Sequence, residues 1–172
     1  MAARRKAMRL TAALARQLRL LVLDCDGVLT DGALYFDANG EQLKVFHVRD
    51  GHGIKQVQAA GIEVAVISGR RSPALARRCR ELGIRHLQQG VADKSAALDV
   101  LQRKLKCDDS QTACVGDDTP DVALFVRVAL AVAVADAHAD ALHAAHLHTT
   151  LPGGRGAVRE VCDLVLAARG SA

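Results

Sequence analysis

Short, mostly apolar runs alternate along the chain with stretches whose apolar positions recur every three or four residues. The runs at residues 20–23, 63–67, 86–88, 112–115 and 129–134 have strand length, and the periodic stretches at 53–60, 73–82, 94–105, 121–126, 137–145 and 157–168 read as helices. Ser72-Pro73 marks one helix start, with Ser as N-cap and Pro at the first helical position. Gly61 and Gly83 stand where helices end. Such alternation predicts an α/β fold, a Rossmann-like doubly wound parallel sheet. Loops after the strands would then gather along one sheet edge, where such folds bind ligands.

One segment departs from the alternation. Residues 33–36 and 43–48 flank Asp37-Ala-Asn39-Gly40 and read as a β-hairpin with an Asn-Gly turn. The insertion, residues 33–48, is too short for a separate lid domain. The chain thus divides into a basic leader or helix over 1–17 and one α/β domain over 18–172, with a glycine-rich tail from Gly153.

Composition narrows the function. Half of the 172 residues are hydrophobic, which excludes a disordered chain. Aromatics are few (three Phe, one Tyr, no Trp), which argues against a surface that stacks nucleic-acid bases. The net charge is +4, yet six basic side chains without an acidic one lie within residues 1–20, so the rest carries −2. Neither nucleic acid nor membrane is an expected partner. Five scattered cysteines without a C-x-x-C pair fit reduced thiols of a cytoplasmic protein.

The first strand runs directly into Asp24-Cys-Asp26-Gly27. Two carboxylates two residues apart share one side of an extended chain. At a sheet edge they would repel unless a cation joined them, and hard oxygen ligands with a phosphate substrate suit Mg²⁺. A carboxylate can also attack phosphorus and form a covalent intermediate. D-x-D alone is also a common acidic turn, so the later motifs decide. Ser68-Gly69-Arg70 places a hydroxyl and backbone N–H groups after the second strand, suited to phosphoryl oxygens. Lys94 opens a helix where an ammonium can neutralise developing charge. Gly116-Asp117-Asp118-Thr-Pro-Asp121 supplies a further metal carboxylate after a later strand.

In this order the motifs resemble the haloacid dehalogenase superfamily, and within it the capless KDO 8-phosphate (3-deoxy-D-manno-octulosonate 8-phosphate) phosphatases. The likeness spans about residues 18–168. It rests on Asp24 to Gly32, the substrate loop Phe46 to Gly53, Ile67 to Arg71, the Gly116 to Asp121 motif and the tail Gly153 to Asp163. The resemblance implies Asp24 as nucleophile and Mg²⁺ ligand. It implies Asp26 as acid and base, ligating Mg²⁺ through its carbonyl, and Asp117 as the remaining metal ligand. Ser68 and Lys94 would hold the phosphoryl group. Sugar-acid contacts would come from His47, Val48, Arg49, Asp50 and Gly51, with Lys55, Gly69, Arg70, Arg78 and Asp118. Arginine forks suit both the phosphate and the carboxylate of such a substrate. The resemblance further implies a bacterial, Gram-negative setting in lipopolysaccharide precursor synthesis. It also implies a homotetramer joined through the hairpin, whose Leu34, Phe36, Leu43, Val45 and Phe46 are a poor solvent surface, with the glycine tail reaching a neighbouring site.

Val122 with Ala123, and residues 147–152 before the glycine tail, depart from the family pattern. Val122 and Ala123 stand where relatives carry a bulky residue and proline. His138, His143, His146 and His148 lie close together, but no acidic pair completes a zinc site. Cys25 would face away from both aspartates as a buried thiol, and Asp31 would shape the turn into the hairpin. A nonulosonate 9-phosphate phosphatase would keep the same core. A receiver-type signalling domain would also use an aspartate, Mg²⁺ and a lysine, but hydrolysis needs the second carboxylate that Asp26 provides. A catalytically dead binding module would not need the full set of catalytic residue types.

Overall fold

All four residues of the first strand, β1 (Leu20–Leu23), are buried, without the alternation of a sheet that has one wet face. That pattern belongs to a parallel strand covered by helices on both sides. The computed structural model describes residues 10–170 and places β1 near the middle of a six-stranded sheet. The chain first forms a separate two-stranded hairpin, β2 (Tyr35–Asp37) and β3 (Gly40–Leu43), before returning to the sheet. The remaining sheet strands are β4 (Glu63–Ser68), β5 (His86–Gln89), β6 (Thr112–Gly116), β7 (Leu130–Ala133) and β8 (Leu147–His148). Their order is β5-β4-β1-β6-β7-β8, every pair parallel. The chain builds outward from β1 to β5, then crosses back to β6 on the other side. The fold is therefore the doubly wound α/β sheet expected, and its switch point lies at the carboxyl ends of β1 and β6.

Among the described residues seven α-helices connect and cover the sheet: α1 (Ala12–Gln17), α2 (Val48–Ala59), α3 (Pro73–Leu82), α4 (Lys94–Leu105), α5 (Thr119–Phe125), α6 (Ala139–Ala144) and α7 (Ala157–Gly170). Helix α3 has the ends expected of it. The Ser72 side chain accepts from Leu75 N, and Gly83 closes the helix in the left-handed conformation at φ 72°. Helix α1 is capped by Thr11, whose Oγ1 accepts from Leu14 N at 3.2 Å. It buries Ala15 and packs on α7, where the Arg169 guanidinium donates to the carbonyls of Ala15 and Leu18. Residues 12–17 therefore pack with the domain expected to begin at 18. The basic residues of positions 1–9 lie outside the described residues.

Three elements differ from expectation. Helix α2 begins at Val48, not near residue 53, so most of the expected substrate loop is helical. His47 caps it, Nδ1 accepting from Arg49 N at 3.2 Å. Gly51 and Gly53 disfavour helix locally, but both lie where α2 packs closely on its neighbours. A Cβ at Gly51 would run into the Arg78 guanidinium, and one at Gly53 would lie 2.9 Å from Arg159 Cδ on α7. The hairpin strands are shorter than expected, and its two-residue loop is Ala38-Asn39, with Asp37 Oδ1 accepting from Asn39 N at 2.7 Å. Strand β8, two residues long, carries no periodic signal.

The start of the glycine-rich segment packs against the chain's own first loop. Gly154 N donates to Val28 O at 2.9 Å, and Gly153 N donates to Asp136 Oδ1 at 2.9 Å. A Cβ on Gly153 would overlap Gly27 O, so only glycine allows this approach. Gly153→Ala is therefore expected to destabilise by about 2–3 kcal/mol. Gly170→Ala, where an added Cβ meets nothing within 4 Å, is expected to change stability by less than about 1 kcal/mol. Urea unfolding of both variants checks the contrast.

Candidate active site

Chain reversal after β1 sets the site. Asp24 N donates to Val115 O at 3.1 Å, extending the β1–β6 pairing by one residue. The Cys25 carbonyl then accepts from the N–H groups of Val28, Leu29 and Thr30, closing a tight turn. Cys25 is fully buried, while Asp24 and Asp26 face the cleft on either side of it. Gly27 takes φ 87°, and a Cβ there would occupy the place of the Asp117 carboxylate. The loops after β1 and β6 can meet only over a glycine.

The second wall comes from β6 and α5. Asp118 and Asp121 form a capping box at the start of α5. Asp121 Oδ2 accepts from the backbone N–H groups of Asp117 at 3.0 Å and Asp118 at 3.3 Å. Its other oxygen lies 2.7 Å from Lys94 Nζ. Lys94 opens α4 beside its N-cap Asp93, and the same ammonium lies 3.1 Å from Asp24 Oδ1. One buried cation thus bridges Asp24 and Asp121.

Asp24, Asp117 and Asp121 each offer a carboxylate oxygen within 4.8 Å of the others. Asp117 Oδ1 is buried without a hydrogen-bond partner. Three clustered carboxylates with one unsatisfied oxygen fit a hard divalent cation. Burial raises the Asp24 pKa to about 6, with the Asp121 charge adding to it and Lys94 opposing. Burial, then the charges of Asp24 and Asp121, raise Asp117 to about 8. Burial works against the Lys94 ammonium, but Asp24 and Asp121 outweigh it and hold its pKa above the usual range. The Asp26 side chain stands apart from this cluster. Its Oδ1 pairs with Lys44 Nζ at 2.5 Å and its Oδ2 lies 3.7 Å from Arg70 Nε.

Ser68, Gly69 and Arg70 follow β4 and complete a cleft of about 310 Å³. Ser68 is buried, its Oγ accepting from Arg70 N at 3.4 Å. The cleft therefore gathers Asp24, Asp26, Ser68, Gly69, Arg70, Lys94, Asp117 and Asp118 from four separate loops.

Other expected contacts lie elsewhere in the single chain. His47, Val48, Arg49, Asp50, Gly51, Lys55 and Arg78 line no wall of this cleft. Asp50 is buried at the start of α7, where Oδ1 accepts from Arg159 N at 2.8 Å. Burial raises its pKa, with that hydrogen bond opposing. Within this chain Asp50 holds the start of α7 through Oδ1, while Oδ2 is buried without a hydrogen-bond partner. Arg49 borders a groove along α7, and Arg78 pairs with Glu81 at 3.5 Å. Three of the four clustered histidines have backbone partners. His138 Nδ1 accepts from Asp140 N, His146 Nδ1 accepts from Ala131 N, and His148 Nε2 lies 2.8 Å from Leu142 O.

Two site residues escaped the sequence reading. Asp121 closes the Gly116–Asp121 motif without an assigned role, and in the structure it caps α5 while the same carboxylate holds Lys94. Lys44 gave only a faint signal, a lysine within the apolar stretch from Leu43 to Phe46.

Comparison with known proteins agrees with this geometry. The haloacid dehalogenase-like hydrolase family matches residues 86–157. The chain is 50% identical over 155 residues to the 3-deoxy-D-manno-octulosonate 8-phosphate phosphatase of Yersinia pestis, covering 90% of this chain and 83% of the relative. The crystal structure of the Yersinia pestis phosphatase aligns with TM-score 0.89 at 48% identity over 92% of this chain and 86% of that one. The Moraxella catarrhalis phosphatase, solved with a magnesium ion, a phosphate ion and a KDO molecule, aligns with TM-score 0.89 at 38% identity. That alignment covers 92% of this chain and 91% of the other. A cobalt-bound Haemophilus influenzae phosphatase aligns with TM-score 0.89 at 43% identity over 91% of this chain and 92% of that one.

The raised pKa values of Asp24 and Asp117 fix a pH dependence. Between the ordinary carboxylate range and about 8 the metal-free native state binds more protons than the unfolded state. Its stability is therefore fully present at low pH and falls as pH rises through about 6 and about 8. A divalent cation removes this penalty. Mg²⁺ at about 100 times its Kd is expected to stabilise by about 2.7 kcal/mol, and the affinity is expected to be higher at about pH 8 than at about pH 5.5. Thermal melts with EDTA and with Mg²⁺ at both pH values check the sign.

Proposed function

The chain belongs to the KDO 8-phosphate phosphatases of the haloacid dehalogenase-like hydrolases, and on that premise we propose how its residues act. It is a Mg²⁺-dependent phosphoric monoester hydrolase that releases KDO and inorganic phosphate from KDO 8-phosphate through an aspartyl-phosphate. Its product supplies lipopolysaccharide precursor synthesis. The observation that carries the reading is the pairing of two carboxylates in one cleft with different surroundings. Asp24 has a lysine 3.1 Å away and lies in the carboxylate cluster, whereas Asp26 stands apart from it.

The Asp24 carboxylate attacks phosphorus, and the bond from phosphorus to the sugar oxygen breaks with its electron pair leaving on that oxygen. Asp26 gives its proton to the departing alkoxide. Asp26 then takes a proton from water, whose oxygen attacks phosphorus. The bond to Asp24 breaks, freeing phosphate and restoring the carboxylate. Ser68 Oγ and Lys94 Nζ hold the phosphoryl oxygens, with backbone N–H groups of Gly69 and Arg70 beside them. Asp24, Asp117 and the Asp26 carbonyl are the proposed Mg²⁺ ligands, and Asp121 fixes Lys94 beside them. The chemistry that Mg²⁺ supplies when bound is charge neutralisation among the carboxylates and the phosphoryl oxygens. Asp118 and Arg70 border the cleft and suit the sugar acid.

The remaining contacts, from His47 to Gly51 with Lys55 and Arg78, are proposed to serve in an assembly, a homotetramer joined through the hairpin. Leu34, Tyr35, Phe36, Leu43 and Val45 are all exposed there, and this apolar exposure supports a partner. No helix among the described residues is long and apolar enough to cross a membrane. A cytoplasmic setting is proposed from the five unpaired cysteines.

Phosphate release from a panel of sugar-acid phosphates, including nonulosonate 9-phosphates, tests the reaction. KDO 8-phosphate is expected to have the highest kcat/KM, with loss of turnover in EDTA. Asp24→Asn is expected to lower kcat by at least about 10⁴-fold. Full activity in that variant would end the nucleophile assignment. Light scattering at micromolar concentration is expected to give about four times the chain mass, and a monomer would count against the assembly.

A further inference from the structure

Asp26 meets the hairpin on both of its oxygens. Beyond β3 the chain reaches Lys44, whose side chain is only 2% exposed and whose Nζ lies 2.5 Å from Asp26 Oδ1. Arg70 Nε stands 3.7 Å from Oδ2 of the same carboxylate. The Arg70 guanidinium in turn lies 5.8 Å from the ring centroid of Phe36 on β2, within cation–π range. Each oxygen of Asp26 thus faces a cation that the hairpin carries or touches.

The orientation of Lys44 is the reverse of ordinary. Its neighbours Leu43 and Val45 are 47% and 49% exposed, while the ammonium between them points inward. A lysine at a surface hairpin normally keeps its charge in water, because burial of an ammonium costs free energy that pairing only partly offsets. An anchor for the hairpin alone could be apolar. A cation aimed at one carboxylate oxygen does something an apolar residue cannot, which is to fix which oxygen remains for other partners.

We propose that Lys44 is a positioning residue for Asp26. By occupying Oδ1 it presents Oδ2 to the substrate side of the cleft, and Arg70, steadied by Phe36, flanks that second oxygen. The hairpin then sets the geometry of the acid/base group as well as carrying an apolar surface. This rests on the reading of Asp26 as acid and base given above.

The test compares wild type, Lys44→Met and Asp26→Asn, all with Mg²⁺, on KDO 8-phosphate and on p-nitrophenyl phosphate. The nitrophenolate leaves without a proton, so transfer of its phosphoryl group to Asp24 does not need Asp26, whereas hydrolysis of the aspartyl-phosphate does. Lys44→Met is expected to lower kcat on the sugar phosphate about 10²-fold with KM within about twofold. On the aryl phosphate it is expected to keep its initial burst rate within about threefold while steady turnover slows, so that a burst of one nitrophenolate per site appears. Lys44→Arg is expected to recover part of the lost kcat. An equal loss in burst and steady turnover would mark a merely structural lysine and overturn the proposal, as would an unchanged kcat. If Lys44→Met does not fold, Phe36→Leu decides, because it keeps the apolar surface and removes the ring face. A loss of about threefold confined to steady turnover supports the proposal, and unchanged rates overturn it. If Asp26→Asn is slow and Lys44→Met is not, only the role of Lys44 fails. If Asp26→Asn is fully active, the acid/base reading fails and takes the proposal with it.

Discussion

Lys94 lies between Asp24 and Asp121, and the arrangement of the fold follows from the charge those three groups hold. Asp117 adds a further carboxylate to the same small volume, one of its oxygens buried without a partner. One ammonium cannot balance three clustered carboxylates, and partial burial with mutual repulsion raises the pKa values of Asp24 and Asp117. The excess negative charge is the physical reason a divalent cation belongs there. It also explains why the carboxylates sit at the carboxyl edge of the sheet. Only the switch point brings the ends of β1 and β6 together from chain segments about ninety residues apart.

Close approach of backbone to backbone is what allows that concentration of charge. Gly27 makes room for Asp117, Gly116 for Asp121, and Gly153 for the Gly27 carbonyl. The glycine-rich segment therefore acts beneath the catalytic loop of its own chain. It reads as a tail in sequence because glycine runs are usually mobile. Here Gly153 and Gly154 are buried and donate to Asp136 and Val28, which fixes the turn after β1 from below. Glu160 on α7 closes the segment by accepting from the backbone of Thr150 and Leu151.

Much of this was legible in the sequence, for identifiable reasons. Strand β1 and helices α3 and α4 follow the apolar pattern, and Ser72, Gly83 and Asp93 cap the helices by local hydrogen bonds that sequence spacing encodes. The D-x-D pair, Ser68, Lys94 and the Asp117 motif each follow a strand, so parallel topology alone brings them to one edge. The reading failed where tertiary contact overrides local preference. Gly51 and Gly53 disfavour helix locally, yet α2 needs them to lie against α3 and α7. The contact of Asp50 with Arg159 joins residues more than a hundred positions apart, so no local pattern indicates it. Lys44 was missed for the same reason, since nothing near it in sequence indicates Asp26.

The hairpin brings these constraints together. Its apolar side chains face solvent, while the buried ammonium of Lys44 faces the Asp26 carboxylate. A two-stranded ribbon is marginal by itself, so something outside its own backbone must hold it. Within the chain, part of that support comes from Lys44 and from Phe36 against Arg70. Beyond the chain, the exposed Leu34, Tyr35, Leu43 and Val45 offer a surface for the rest. An insertion too small to close over a substrate can still affect the chemistry. Any partner that orders the ribbon also orders Lys44 and Phe36, and through them both oxygens of Asp26. On the roles proposed for Asp26 and for the hairpin surface, the same element would link assembly to the orientation of the group that donates and then accepts a proton.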